Sequence, residues 1–125
     1  KLVWKNSVRT YVPSLLVLKG HLFTVTDDGI AYLWKKETGE EIWKQRLGGK
    51  FSASPILANG HIYASSETGT TWVLKPTDAG MDVISKNQLG TGHMSTPAFS
   101  GTQVFLRVID ETSGEHRERL VCVEQ

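Results

Sequence analysis

The sequence predicts an all-β fold built from about three copies of one unit. Pro13, Pro55 and Pro97 are each 42 residues apart, and a chain of 125 residues is close to three times that spacing. Short runs of β-branched and aromatic residues lie between the prolines and are separated by turns such as Asn59-Gly60. A repeat of about 40–50 residues with this composition is typical of propellers, solenoids and arrays. We therefore expect a β-propeller segment of about three four-stranded antiparallel blades.

The first unit, approximately residues 6–48, has the pattern of four strands joined by tight turns. Each run is strand-sized and rich in β-branched or aromatic residues, and Gly or Asp separates it from the next run. No run shows a sustained apolar period of 3.6 residues, so helix should be scarce. The four predicted strands of this unit cover residues 14–18, 21–26, 30–35 and 41–45.

The second unit, approximately residues 49–90, repeats the pattern and has its fourth strand within residues 81–88. The third unit, residues 91–125, supplies only three strands before the chain ends. Residues 1–5 resemble a spare fourth strand, because Val3-Trp4-Lys5 parallels the Ile-Trp-Lys run that ends the first unit. We expect this N-terminal strand to complete the last blade if the blades close into a ring.

Closure needs more than this chain, since propellers usually have about 4–8 blades. An open arc of three blades would expose apolar faces and unpaired strand edges. Two alternatives follow: the chain is a piece of a longer protein, or several copies self-associate into a closed ring. The prolines fit either alternative, because proline belongs at a strand start or on an edge strand such as the innermost strand of a blade.

Composition excludes several classes of partner and site. The net charge is +1, from 14 basic and 13 acidic residues that are interleaved, so no basic surface for nucleic acid is expected. No apolar run approaches the roughly 18–20 residues of a membrane-spanning helix, so no membrane span is expected. Cys122 is the single cysteine, which rules out an internal disulfide and a thiolate zinc cluster.

The stretch from residue 33 to residue 43 carries a resemblance to a known family. It is similar to the tryptophan docking motif of PQQ-like propeller repeats, a family of the wider WD40/YVTN-like kind. Thr38, Gly39 and Trp43 match the motif, whereas Leu33 and Lys35 replace its Ala and Asp. In that family the Thr-Gly turn joins the third and fourth strands, and the Trp packs on the neighbouring blade. The resemblance also covers the Ser/Thr-Pro corners and extends over nearly the whole chain.

The resemblance implies which residues hold neighbouring blades together. Large aromatic side chains on third and fourth strands suit packing between blades, where each buries roughly 150–250 Å². The expected structural docking residues are Trp4, Trp34, Thr38, Gly39, Trp43 and Trp72.

A second group of residues is expected at the channel side of the blades, where the innermost strands begin. Loops and strand starts at the ends of a propeller usually carry its recognition function. The candidate binding residues there are Ser14, Ser52, Ser54, His93 and Ser95.

Two functions from different classes follow from the resemblance. The first is a non-catalytic scaffold for protein or ligand binding, in the periplasm or outside the cell, with no catalytic, cofactor-binding or metal-binding residue in this chain. The alternative is a fragment of a PQQ-dependent dehydrogenase whose active-site blades are missing; PQQ and calcium would then be the cofactors. An extracellular sensor domain joined to a signalling module is a third alternative.

Overall fold

Alternating apolar side chains and glycine turns organise the chain into strands. The computed structural model describes residues 1–124 and contains eleven strands and no helix in that range. The strands are β1 (Leu16–Leu18), β2 (His21–Val25), β3 (Ile30–Lys35), β4 (Glu41–Arg46), β5 (Ile56–Ala58), β6 (His61–Ser65), β7 (Thr70–Thr77), β8 (Gly80–Gln88), β9 (Ala98–Ser100), β10 (Gln103–Asp110) and β11 (Arg117–Glu124).

The strands form three antiparallel sheets in which neighbours in sequence are neighbours in space. Sheet 1 has the order β1-β2-β3-β4, sheet 2 the order β5-β6-β7-β8, and sheet 3 the order β9-β10-β11. Tight turns make this topology possible: Asn59 and Gly60 both have positive φ (49° and 75°) between β5 and β6. The all-β propeller segment predicted from the sequence is confirmed, while the repeat boundaries stay a prediction.

The outer hairpins of sheets 1 and 2 contain a matching irregularity. In sheet 1, Leu33 pairs with Trp43 immediately before a β-bulge. In sheet 2, Val73 pairs with Ser85 immediately before the corresponding bulge. A one-residue shift in pairing turns every later side chain to the other face of a sheet. Because the bulges follow these two pairs directly, they show which residues of the two sheets are equivalent. Ser85 is therefore the counterpart of Trp43.

A large apolar cluster fills the first interface, between sheets 1 and 2. Its buried members come from β1, β2 and β3 of sheet 1, from β6, β7 and β8 of sheet 2, and from the segment between the two sheets. Trp43 and Trp72 pack against this cluster from its periphery. The buried members of the cluster are Leu18, Phe23, Val25, Ala31, Leu33, Leu47, Phe51, Ile62, Ala64, Leu74 and Met81.

The second interface, between sheets 2 and 3, has a smaller apolar cluster. Val104, Leu106 and Val108 of β10 are its buried members in the described part of the chain. Phe99 joins the two sheets, because its ring lies 4.6 Å from the ring of Tyr63, centroid to centroid. Sheet 3 is therefore anchored to its neighbour by fewer buried side chains than sheet 1.

The predicted N-terminal strand is not formed in this structure. Residues 1–5 have no strand pairing, and the first strand begins only at Leu16, two residues later than expected. A strand needs a hydrogen-bonded neighbour, and within the described residues no strand lies beside residues 1–5. The completion of the last blade by this segment stays a prediction.

Candidate functional site

The candidate site is the inner edge of the three sheets, where the chain enters β1, β5 and β9. A buried proline precedes each of these strands. The N–H of Ser14 donates to Oγ of Ser54 at 3.0 Å, and the N–H of Ser54 donates to Oγ1 of Thr96 at 3.0 Å. Three equivalent corners of the repeat are thus joined side by side by hydrogen bonds.

This arrangement assigns different positions to the predicted channel-side residues. Ser14 and Ser54 are brought together by a hydrogen bond. The half-buried Ser95 lies next to Thr96, which accepts the hydrogen bond from Ser54. Sequence reasoning missed Thr96 as a site residue, although it lies 42 residues after Ser54 and the repeat spacing could have identified it. The hydroxyl that joins the third corner therefore comes from Thr96.

Carboxylates at the turns between second and third strands hold the segments that enter the first two sheets. Asp27 accepts hydrogen bonds from the N–H groups of Tyr11 and Val12 at 2.7 and 3.0 Å. Burial by itself raises the pKa of the Asp27 carboxyl, but these N–H groups, helped by the charge of Arg9, outweigh it. They hold the pKa of Asp27 below its ordinary value of 3.8.

The turn between β6 and β7 receives two of the predicted channel-side residues. Ser52 donates its hydroxyl hydrogen to Oε1 of Glu67 at 2.5 Å. The ring of His93 is 1% exposed and its Nε2 lies 3.2 Å from the carbonyl oxygen of Gly69. Ser52 and His93 therefore contact one turn from two different connecting segments.

His93 has one ring nitrogen without a partner. Its Nδ1 is buried and has no hydrogen bond within the described residues. The carbonyl oxygen of Gly69 can only accept, so Nε2 donates to it, and Nδ1 is the buried ring nitrogen that is left without a partner. Phe51, 42 residues earlier, is equally buried at 1% exposure. His93 thus stands where the previous unit has an apolar ring.

Two of the expected docking tryptophans lie against a glycine near the junction of a third and a fourth strand: Gly39 is in the turn between β3 and β4, and Gly80 is the first residue of β8. Trp4 donates its indole N–H to the carbonyl oxygen of Lys36 at 2.8 Å, and its ring packs against Gly39. A Cβ atom at Gly39 would come within 2.6 Å of the indole. Trp43 lies in the same way against Gly80 of sheet 2, where a Cβ would come within 3.1 Å of its ring.

The other two tryptophans make ring contacts of a different kind. Trp34 is 4% exposed and stacks on Tyr32, with ring centroids 5.1 Å apart and planes 6° from parallel. Trp72 lies beneath the ammonium group of Lys86 at 4.8 Å from the ring centroid. Thr38 closes its own turn by accepting the N–H of Glu40 at 3.3 Å. A blade-docking role for the whole predicted set stays a prediction.

The described residues contain no cluster of three or more His, Cys, Asp or Glu side chains that could hold a metal ion. In the same part of the chain, no helix is long and apolar enough to cross a membrane.

Comparison with known proteins places this geometry in a family. The family model of the outer membrane protein assembly factor BamB matches residues 1–107. No curated protein sequence matches the chain. Among solved structures, BamB from Moraxella catarrhalis is similar with a TM-score of 0.59 and 15% identity, covering 75% of this chain and 28% of that one.

A europium-containing methanol dehydrogenase is similar with a TM-score of 0.55 and 17% identity. That match covers 70% of this chain and 19% of the enzyme, so the chain spans less than a third of either solved relative. At such identities the two structures support the fold alone. With the family model covering most of the residues, the chain belongs to the BamB family of PQQ-like propeller repeat proteins.

Proposed function

We propose that this chain is part of a non-catalytic propeller scaffold that binds a protein partner outside the cytoplasm. The observation that carries the proposal is that polar side chains at the inner edge form hydrogen bonds between neighbouring repeats. The side chains of Ser54 and Thr96 join neighbouring repeats, and Ser52 is bonded to Glu67. These groups make the edge rigid, and a rigid edge suits recognition, which loses less conformational entropy when a surface is already ordered.

The family supports the choice of partner and compartment. The matching family model is described as an outer membrane protein assembly factor, a description that implies contact with other proteins of the cell envelope. We place the contact surface at the strand starts around Ser14 and Ser95, next to the hydrogen bonds that fix the corners. Self-association of several copies into a ring is a second way in which the same edge would be used.

Site-specific photo-crosslinking tests the proposal in cells that produce the full-length protein. A photo-reactive amino acid replaces Ser14 or Ser95 in one set of variants and the exposed Ser113, in the loop between β10 and β11, in a control. We expect a discrete adduct with an envelope protein, identified by mass spectrometry, from the first two positions only. Adducts that are absent, or equal from Ser113, would contradict the proposal.

The alternative function is a fragment of a PQQ-dependent dehydrogenase, since a europium-containing methanol dehydrogenase has a similar fold. The described residues hold no cluster of metal ligands by themselves, so blades outside this chain would supply the calcium ligands. Adding PQQ and Ca²⁺ to the full-length protein distinguishes the two functions. A shift in quinone absorbance on binding would support the dehydrogenase, and an unchanged spectrum would contradict it.

A further inference from the structure

A cleft of about 590 Å³ lies between sheets 2 and 3. One wall carries Tyr63 and Val73 of sheet 2, and the opposite wall carries Phe99, Val104 and Leu106 of sheet 3. Its lining is predominantly apolar, and its volume falls within the roughly 300–1,000 Å³ that small-molecule sites occupy. The first interface, in contrast, is filled by the large apolar cluster between sheets 1 and 2.

The cleft lies where the repeat pattern loses a tryptophan. On the face of sheet 1 that meets sheet 2, Leu33 pairs with Trp43, and the indole covers Gly80 of the next sheet. On the equivalent face of sheet 2, Val73 pairs with Ser85, and both residues line the cleft. The hydroxymethyl side chain of Ser85 thus stands where sheet 1 has the indole of Trp43. The facing side chains of sheet 3 do not fill the space that this leaves.

The walls suit a flat aromatic guest. The rings of Tyr63 and Phe99 already meet at 4.6 Å and 49°, so a guest ring would lie beside this pair and make an offset or edge-to-face contact with the half-buried Phe99. The polar part of the lining includes Ser85 and Asn87 of β8: the exposed Asn87 donates from Nδ2 to Oγ of Ser85 at 3.0 Å. A guest would therefore bury its ring in the cleft beside the Tyr63–Phe99 pair and direct a polar N–H or O–H toward Ser85 and Asn87.

We propose that this cleft is a binding site for a small, flat aromatic molecule of about indole size that carries one hydrogen-bonding group. The occupant is inferred from the neighbouring interface, where the equivalent space is taken by the indole of Trp43. The site is separate from the inner edge of the sheets, and the inference does not depend on the proposed scaffold function.

Titration of the purified chain with indole tests the site. Methyl NMR signals of Val73, Val104 and Leu106 report directly on the two walls, and cyclohexanol is the non-aromatic comparison. We expect saturable shifts of these methyl signals with a Kd of about 1 mM or tighter, as a ligand of this size allows. Cyclohexanol should bind at least about tenfold more weakly because it cannot make an aromatic ring contact with the lining.

Three variants make the test specific. Ser85→Trp should occupy the cleft and weaken indole binding at least about tenfold, and Ser85→Leu provides a smaller filler in case the tryptophan variant fails to fold. Ser113→Trp adds the same side chain to an exposed loop and should leave indole binding unchanged. Thermal unfolding followed by circular dichroism verifies that each variant is folded.

Three results would overturn the proposal. The first is the absence of saturable methyl shifts with indole, and the second is equal affinity for cyclohexanol. The third is unchanged indole affinity in a folded variant at Ser85, which would show that indole binds elsewhere.

Discussion

Replacing Trp43 by serine gives the first interface the side chain that the second interface already has at Ser85. Trp43 is half-buried, packs against the cluster between sheets 1 and 2, and covers Gly80. Truncating a fully buried tryptophan costs about 3–5 kcal/mol. For this partly exposed ring we expect Trp43→Ser to lower the free energy of unfolding by about 2–3 kcal/mol.

The assay is urea unfolding followed by circular dichroism, together with a thermal melt. In a domain of this size each kcal/mol corresponds to a Tm change of about 3–5 °C, so the expected drop is roughly 10 °C. Trp43→Phe is the matched control: it keeps an aromatic ring against Gly80 and should lose about half as much stability or less. A Tm for Trp43→Ser within about 2 °C of the parent would refute the claim that this indole joins the two sheets.

Three further predictions concern single positions. Gly39→Ala and Gly20→Ala both place alanine at positive φ, which costs about 1–2 kcal/mol, but only at Gly39 does the new Cβ meet the indole of Trp4. Gly39→Ala should therefore unfold at least about 1 kcal/mol more easily than Gly20→Ala in urea titrations. His93→Phe should raise the free energy of unfolding by about 1 kcal/mol, because it removes a buried ring nitrogen that has no hydrogen-bond partner. The carbonyl oxygen of Gly69 loses its bond to His93 but still accepts the N–H of Leu89. Asp27→Asn should lower the Tm at pH 5–7, and its effect should shrink as the pH is lowered below 3.8. The pKa of Asp27 is lowered on folding, so the stabilisation from its charge is complete above 3.8 and is lost as the pH falls through the folded pKa.

Each of these predictions has a result that contradicts it. Equal losses at Gly39 and Gly20 would mean that Trp4 does not rest on the first turn. A destabilised His93→Phe protein would mean that both ring nitrogens have favourable partners. A difference between the parent and Asp27→Asn that stays constant from pH 7 to pH 2 would mean that the charge of Asp27 contributes nothing.

The sheets could be predicted from the sequence because local residues specify them. Asn59 and Gly60 adopt the positive φ that a tight hairpin requires, and the alternating runs on either side have one register that buries their apolar face. The absence of strand pairing at residues 1–5 could not be predicted in this way. Residues 1–5 have strand-like composition, but a strand also needs a partner edge, and in this structure Trp4 contacts a turn of sheet 1.

The candidate site was predictable in position more than in chemistry. The 42-residue spacing placed the corners of the repeat side by side, yet it did not reveal that Thr96 accepts the hydrogen bond from Ser54. The cleft could not be predicted either, because the repeat spacing alone does not show which side chains face each other. Ser85 lies 42 residues after Trp43, but only the paired bulges show that the two side chains face equivalent neighbours.

Amide hydrogen exchange compares the two interfaces in one experiment. The central strands β2, β6 and β10 are all hydrogen-bonded on both sides, so differences in their protection report how firmly each sheet is held. Sheets 1 and 2 share a large buried cluster and the indole of Trp43, whereas sheet 3 is held by the small cluster beside the cleft. We expect amides of β10 to exchange at least about tenfold faster than those of β2 and β6, a difference of about 1.4 kcal/mol in opening free energy. Equal protection in all three strands would contradict a series of repeats in which the second interface is the weaker one.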